Sequence, residues 1–108
     1  MKAWHRPGGW DAVRTAVRFP LRLALHLKTE DGMMEAITRD ISSNGLLFES
    51  AWLPRIGSNV EFTMDMPSEV LGGDTDVRVH CTGRIVRHQI ADGEALAAAV
   101  IDEYSLKA

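Results

Sequence analysis

Residues 21–28 read Leu-Arg-Leu-Ala-Leu-His-Leu-Lys, with leucine at every odd position. That period of two belongs to a strand with one buried face and one wet face. The alternation returns in residues 60–66 and 77–82, and continues through 84–88 after Gly83, a glycine that marks a bulge. Residues 33–39, 45–49 and 96–104 supply three further strand-like segments, the second of them beginning at Gly45. Between them stand turn signals: Glu30-Asp31-Gly32, the run 40–45, Pro54 with Gly57, and Asp92-Gly93. Pro67 closes the fourth segment, and residues 68–76 read as a polar loop suited to variable length. Six strands at such short spacing predict an all-β chain, a small closed antiparallel barrel. Ala97-Ala98-Ala99 is the least strand-like piece, because alanine favours helix.

At 108 residues the chain is sized for one domain with one core, read as residues 13–108 behind a flexible basic leader, 1–12. With 45% hydrophobic and 25% charged residues it can bury a core, which argues against wholesale disorder. No apolar run approaches the roughly 18 residues of a membrane span. The start, Met1-Lys2-Ala3-Trp4-His5-Arg6-Pro7, lacks the apolar stretch of a secretory signal. The single Cys81 permits no internal disulfide, which suits a reducing, cytoplasmic setting, and its place in an alternating strand makes it a small core residue. A net charge of −3 argues against general affinity for nucleic acid. Its distribution is uneven. Residues 1–28 carry six bases (Lys2, Arg6, Arg14, Arg18, Arg22, Lys28) against one acid, Asp11, while the remainder carries six bases against fourteen acids. An acidic body with a basic leader reads either as a solvated charged tail or as a local anion site.

Two stretches favour the anion site. Arg14 and Arg18 stand four positions apart, and a guanidinium fork matches both phosphate and the O6/N7 edge of guanine. In Asp40-Ile41-Ser42-Ser43-Asn44-Gly45, a carboxylate, a hydroxyl and a glycine fall within six residues. Such a run reads as a turn whose N–H groups can converge into an anion-binding nest, with Asn44 and Gly45 tolerating positive φ. An ionised Asp only accepts, so Asp40 suits the N1–H and N2–H₂ edge of guanine. Strand pairing brings the stretches together: Arg18 precedes the first strand, Asp40 ends the second, and antiparallel pairing sets those ends side by side.

The pair resembles the signature of the PilZ domain, RxxxR followed by [D/N]xSxxG, here Arg14 and Arg18, then Asp40, Ser42 and Gly45. The resemblance runs from about Val13 to Tyr104. It implies a six-stranded barrel with a leader loop that wraps the ligand, and a non-catalytic receptor for cyclic di-GMP. By that resemblance Arg14 and Arg18 hold a guanine edge and phosphates, Asp40 reads the guanine amino edge, and Ser42 bonds phosphate or guanine. Gly45 lets ligand or backbone approach closely, and Asn44 and Arg87 are further candidates. Some members carry an arginine just before the first of the pair; Val13 stands there, which leans toward a single bound ligand. Family barrels are usually followed by a helix, and the residues after the last strand leave room for little or none. A protein partner in motility, pilus or exopolysaccharide pathways is implied without being identified. The rival from another class is a PilZ-like protein-interaction module that binds no nucleotide; such members typically lack the arginines kept here.

Other chemistries find less support. His80 and Cys81 point to opposite faces of a strand, and His5, His26 and His88 have no ligand spacing, so no metal site is expected. Ser42 lacks a G-x-S-x-G elbow and an assigned base, so no enzyme is expected. Arg84 and Arg87 flank a strand, read as solvent-exposed, with Arg87 kept as a candidate for stacking on a purine or holding phosphate. Arg22 lies opposite the leucine face and therefore outward. Trp10, Val13 and Val17 recur at helical spacing, so residues before Pro20 read either as a short helix with Arg14 and Arg18 on one side or as an extended segment. Trp4 or Trp10 could stack on a base or cover apolar surface.

Overall fold

The computed structural model describes residues 18–71 and 73–107. They form strands β1 (Ala24–Thr29), β2 (Gly32–Ile41), β3 (Gly45–Ser50), β4 (Asn59–Met66), β5 (Val77–Ala91) and β6 (Glu94–Lys107). One helical turn, α1 (Ser68–Leu71), interrupts the expected polar loop. Every pairing is antiparallel, and the order β1-β2-β3-β6-β5-β4 closes on itself through β1 and β4. Alanines 97–99 sit inside β6 despite their helical propensity, each paired across to β3. Tertiary pairing overrides intrinsic preference here.

The leucine frame sets the interior. Leu25 and Leu27 are fully buried, and Leu21 and Leu23 pack against the same core. Phe48 of β3 and Phe62 of β4 meet edge to face at the centre, with ring centroids 6.1 Å apart. Burying each such side chain stabilises the barrel by roughly 1.5–3 kcal/mol. Cys81 is part of this core, and burial pushes its thiol up to about 12. The β5–β6 hairpin turns at Asp92-Gly93, both at positive φ, the conformation that two-residue hairpin loops need.

Three register shifts matter more than the strands' regular parts. One lies in β2 between Thr38 and Asp40, and two lie in β5, between Thr82 and Gly83 and between Ile85 and Arg87. A shift of one residue exchanges the inner and outer faces for everything beyond it. In β2, Ala36 and Thr38 are buried; without the shift Asp40 would follow them inward. Instead Ile41 is buried, and Asp40 pairs with Leu47 on the outer side. In β5, Ile85 is buried and Arg87 emerges opposite Ala98 on the outer face.

An ion-pair cluster ties β2, β3 and β6 together outside the barrel. Arg39 donates to Glu49 at 3.0 Å and to Glu94 at 2.8 Å, and Arg22 reaches Glu49 at 3.0 Å, so Arg22 points outward as expected. The hydrogen bond from Arg39, aided by Glu94 and the Arg22 charge, holds the Glu49 carboxyl below its ordinary value. A depressed carboxyl contributes stability above its unfolded pKa, and that contribution is lost as pH falls through the folded value. The melting temperature is therefore expected to drop below about pH 4.5, the ordinary glutamate value, and Glu49→Gln should melt lower at neutral pH with a shallower acid slope. Thermal melts of both proteins across the acid-to-neutral range check this; parallel curves would count against it.

Candidate functional site

The chain segment before β1 is stitched to the end of β2. Phe19 and Ile41 exchange both backbone hydrogen bonds, at 2.7 and 2.9 Å. The Thr38 hydroxyl, fully buried, donates to the Leu21 carbonyl at 2.6 Å and accepts from the Leu23 N–H at 2.8 Å. These contacts fix where the chain emerges, and they bring the Arg18 guanidinium to 4.0 Å from the Asp40 carboxylate. An exposed pair at that distance is worth at most about 1 kcal/mol, weak enough for a ligand to displace. Thr38→Val would leave the Leu21 and Leu23 backbone groups without this partner. It is expected to lower stability by about 1–3 kcal/mol, read from the urea midpoint; an unchanged midpoint would show that the stitch contributes nothing.

The run after Asp40 departs from the expected shape. Asp40 and Ile41 belong to β2, so the turn is confined to residues 42–44. The Ser42 hydroxyl accepts from the N–H groups of Asn44 (3.3 Å) and Gly45 (3.2 Å), and the Ser42 N–H donates to the Gly45 carbonyl at 2.9 Å. Those N–H groups are turned inward on serine, so they do not form the expected anion nest. Nor do Asn44 and Gly45 have positive φ; among the described residues that conformation falls at Gly32, Gly57, Asp92 and Gly93. The Asn44 carbonyl accepts from Ile101 of β6 at 2.8 Å. A Cβ on Gly45 would lie 2.6 Å from the Ala99 carbonyl oxygen, so this glycine serves the close approach of β3 to β6. Of the two reasons expected for it, backbone approach is the one the geometry carries.

A groove of about 110 Å³ opens on the outer face here, lined by Arg18, Ser42, Asn44, Gly45 and Arg87. Its floor is apolar: Leu47, Val86, Ala98 and Val100. Arg87 gives its Nε to Gln89 at 3.0 Å, and its terminal nitrogens make no hydrogen bond among the described residues. Arg84, by contrast, is spent on Asp102 through three contacts of 3.0–3.3 Å, as a surface residue. Asp40 does not line the groove; it reaches it through Arg18. Arg14 and the rest of residues 1–17, including Trp4, Trp10 and the helix-or-extended alternative, lie outside the described residues.

The two largest clefts are chemically unlike it. One of about 650 Å³ is lined by Glu35, Glu49 and Glu94 with no lysine or arginine. One of about 460 Å³ mixes Asp65 and Asp76 with Arg78, which Asp65 already holds at 3.0 and 3.3 Å. Of the three, the small groove alone pairs guanidinium donors with an apolar floor.

Over residues 12–107 the chain matches the family described as PilZ domain. The chain belongs to the PilZ domain family. Fold comparison agrees: a Bacillus subtilis protein, the Inhibitor of motility (MotI/DgrA), superposes with a TM-score of 0.68 at 12% identity. That likeness covers 82% of this chain and 42% of the other, so the shared barrel is less than half of that protein. No curated protein sequence matches the chain. PilZ domains are a receptor family for cyclic di-GMP rather than a family of enzymes. In this PilZ barrel, sequence reasoning missed Thr38 and the groove floor. The signal for Thr38 was its parity, a polar residue in the inward frame of Ala36. The floor had none: Val100 read as an ordinary strand residue, and Ala98 belonged to the least strand-like run.

Proposed function

We propose that this PilZ domain is a cyclic di-GMP receptor whose basic leader closes over the ligand and so regulates a protein partner. The observation that carries this reading is the convergence of Arg18, Ser42, Asn44, Gly45 and Arg87 on one apolar-floored groove, with Asp40 held beside Arg18. Val86 and Ala98 line the groove and would meet a purine face there. Arg18 and Arg87 flank it and suit phosphate or the guanine O6/N7 edge. Asp40 accepts from the guanine amino edge once Arg18 turns to the ligand, and the Ser42 hydroxyl can rotate its proton from the Gly45 carbonyl to a phosphate oxygen.

Size argues for the leader's part. Pockets that enclose a small molecule usually measure about 300–1,000 Å³. A groove of about 110 Å³ receives only a portion of a bis-guanine ring. Arg14, four positions before Arg18, would cover the remainder. The dianion neutralises the leader, and the order gained there is the signal a partner reads. Motility machinery is one candidate target, in keeping with the motility inhibitor from Bacillus subtilis that shares the fold; pilus and exopolysaccharide systems share the same logic.

Calorimetric titration with cyclic di-GMP tests the site. Heat is expected from the native chain and should be lost in Arg14→Ala and in Asp40→Ala. Heat that survives both substitutions would remove the site, and a silent native chain would return the protein to the interaction-module reading. Limited proteolysis of residues 1–18 should slow with ligand; equal cleavage with and without it would end the closing step.

A further inference from the structure

The β5–β6 hairpin outruns the strands beside it and leaves two stretches of sheet edge open. β4 follows β5 only as far as Arg84. The loop before β4 then bonds Ile85 in both directions: the Gly57 N–H donates to its carbonyl, and its own N–H donates to Ser58. Past Ile85, nothing among the described residues pairs with this edge of β5. On the other side, β3 follows β6 only over Leu96–Val100, and Asn44 accepts the Ile101 N–H.

The two edges differ in chemistry. The open stretch of β6 carries Asp102, Glu103 and Lys107, and charge of that kind discourages an incoming strand. The open stretch of β5 carries Arg87 and then His88-Gln89-Ile90-Ala91, with no carboxylate, lysine or proline. Ile90 is 74% exposed there. The hairpin turn decides which backbone groups face out. Asp92 and Gly93 have φ of 52° and 80°, a two-residue turn of type I′, so the flanking pair Ala91 and Glu94 exchanges both hydrogen bonds. Counted back by twos, Gln89 and Arg87 also bond toward β6, and His88 and Ile90 present their N–H and C=O groups to the open side. The His88 ring is tied to the Pro54 carbonyl at 2.7 Å, which holds this edge in place.

We propose that a second copy of this chain adds its own β5 to this edge, antiparallel, about a two-fold axis at Gln89. The open edge is residues 87–91, bounded by the loop bonds to Ile85 at one end and by the turn at the other, and Gln89 is its centre. That register lays His88 against Ile90 of the second copy and Ile90 against its His88. These are the residues whose backbone groups face out, so each pair exchanges both hydrogen bonds. Arg87 falls opposite Ala91, so no like charges meet, and the two Ile90 side chains lie diagonally across the axis within reach of each other. A strand from another protein would have to supply a match for this short edge; a second copy carries it already, and a two-fold contact closes instead of growing into a filament. The product is one continuous sheet running through both hairpins. Val86 and Arg87 line the nucleotide groove, so the seam sets two grooves side by side, with Ala91 of the second copy next to each Arg87.

Sedimentation velocity of the full chain without nucleotide, from about 10 μM to about 1 mM, should show a monomer–dimer equilibrium. Ile90→Lys puts a charge on the seam, and Ile90→Pro removes an outward N–H that the barrel itself does not use. Both variants should stay monomeric and keep a cooperative melt. Gln89→Cys, at the axis, should cross-link into a dimer under air oxidation, because residues facing each other there stand within the reach of a disulfide. Ala91→Cys should not, since its two copies lie about 13 Å apart, past the roughly 7 Å limit. Native Cys81 is buried and adds no background. A single-chain mass at about 1 mM overturns the proposal and leaves the edge to a strand from a different protein. So does a dimer that survives in both Ile90 variants, or Ala91→Cys cross-linking as fast as Gln89→Cys. Because no nucleotide is used, a silent cyclic di-GMP titration leaves this result standing, and the reverse holds too.

Discussion

Arg18→Ala is expected to weaken cyclic di-GMP binding about 10- to 100-fold. A bidentate arginine contact to guanine is worth roughly 1–3 kcal/mol, and about 1.4 kcal/mol is one decade in Kd. The loss should exceed that of Arg87→Ala, for a reason visible in the site. Arg18 is set by the Phe19–Ile41 bridge and stands 4.0 Å from Asp40, whereas Arg87 is anchored only through Gln89. Stability should barely change in either variant, since both guanidiniums are exposed and neither makes a short ion pair among the described residues. Arg18→Lys should recover little, because an ammonium keeps the charge but not the fork. Titration of the three variants beside the native chain decides the matter. Equal affinity in Arg18→Ala would place the ligand elsewhere, and full recovery by lysine would make the contact a matter of charge alone.

Gly83→Ala is expected to be the most damaging single methyl group in the barrel. A Cβ there would lie 2.0 Å from the Val100 carbonyl oxygen and 3.1 Å from its carbon, and a backbone atom cannot swing aside as a side chain can. The glycine stands at one of the β5 register shifts, where β5 and β6 come close together. Relief requires the long hairpin to part, at a cost on the order of 3 kcal/mol or more. Gly45→Ala meets the Ala99 oxygen at 2.6 Å and should cost less, yet it moves β3 against β6 beneath the groove, so affinity should fall along with stability. Gly73→Ala, with open space around it, serves as the neutral control. Urea unfolding of the three variants gives the ranking; a Gly83→Ala midpoint level with Gly73→Ala would refute the close approach.

Much of the architecture was readable from side-chain spacing. The odd-numbered leucines are the inward set, Gly83 marks a bulge, Asp92-Gly93 turns the hairpin, and the ends of β1 and β2 meet as antiparallel pairing demands. What escaped was local. Asp40 looked like a turn residue because an acid, two serines, an asparagine and a glycine crowd six positions. It is in fact the last outward residue of a strand, re-aimed by a shift at Arg39 that leaves no mark in composition. Arg87 reaches the groove by the same device at Val86, where the sequence alternates normally. Bulges are decided by the pairing of two strands distant in the chain, and one sequence segment read alone does not contain that information. Gly45 serves a close approach to a strand far along the chain, at Ala99 of β6, which its sequence neighbours could not reveal.

The closure of β1 onto β4 restricts how another protein can recognise this one. Its six strands join in a ring, and sheet edge is left unpaired where the long β5–β6 hairpin outruns its neighbours, since β6 pairs β3 only over Leu96–Val100 and β5 pairs β4 only over Val77–Arg84. On the function proposed above, a protein partner would read side chains on the outer wall, or add a strand along those unpaired stretches of the hairpin. On that same reading, word of nucleotide occupancy would leave the molecule through the outer wall or the hairpin's overhang, because the closed part of the ring offers no backbone to a newcomer.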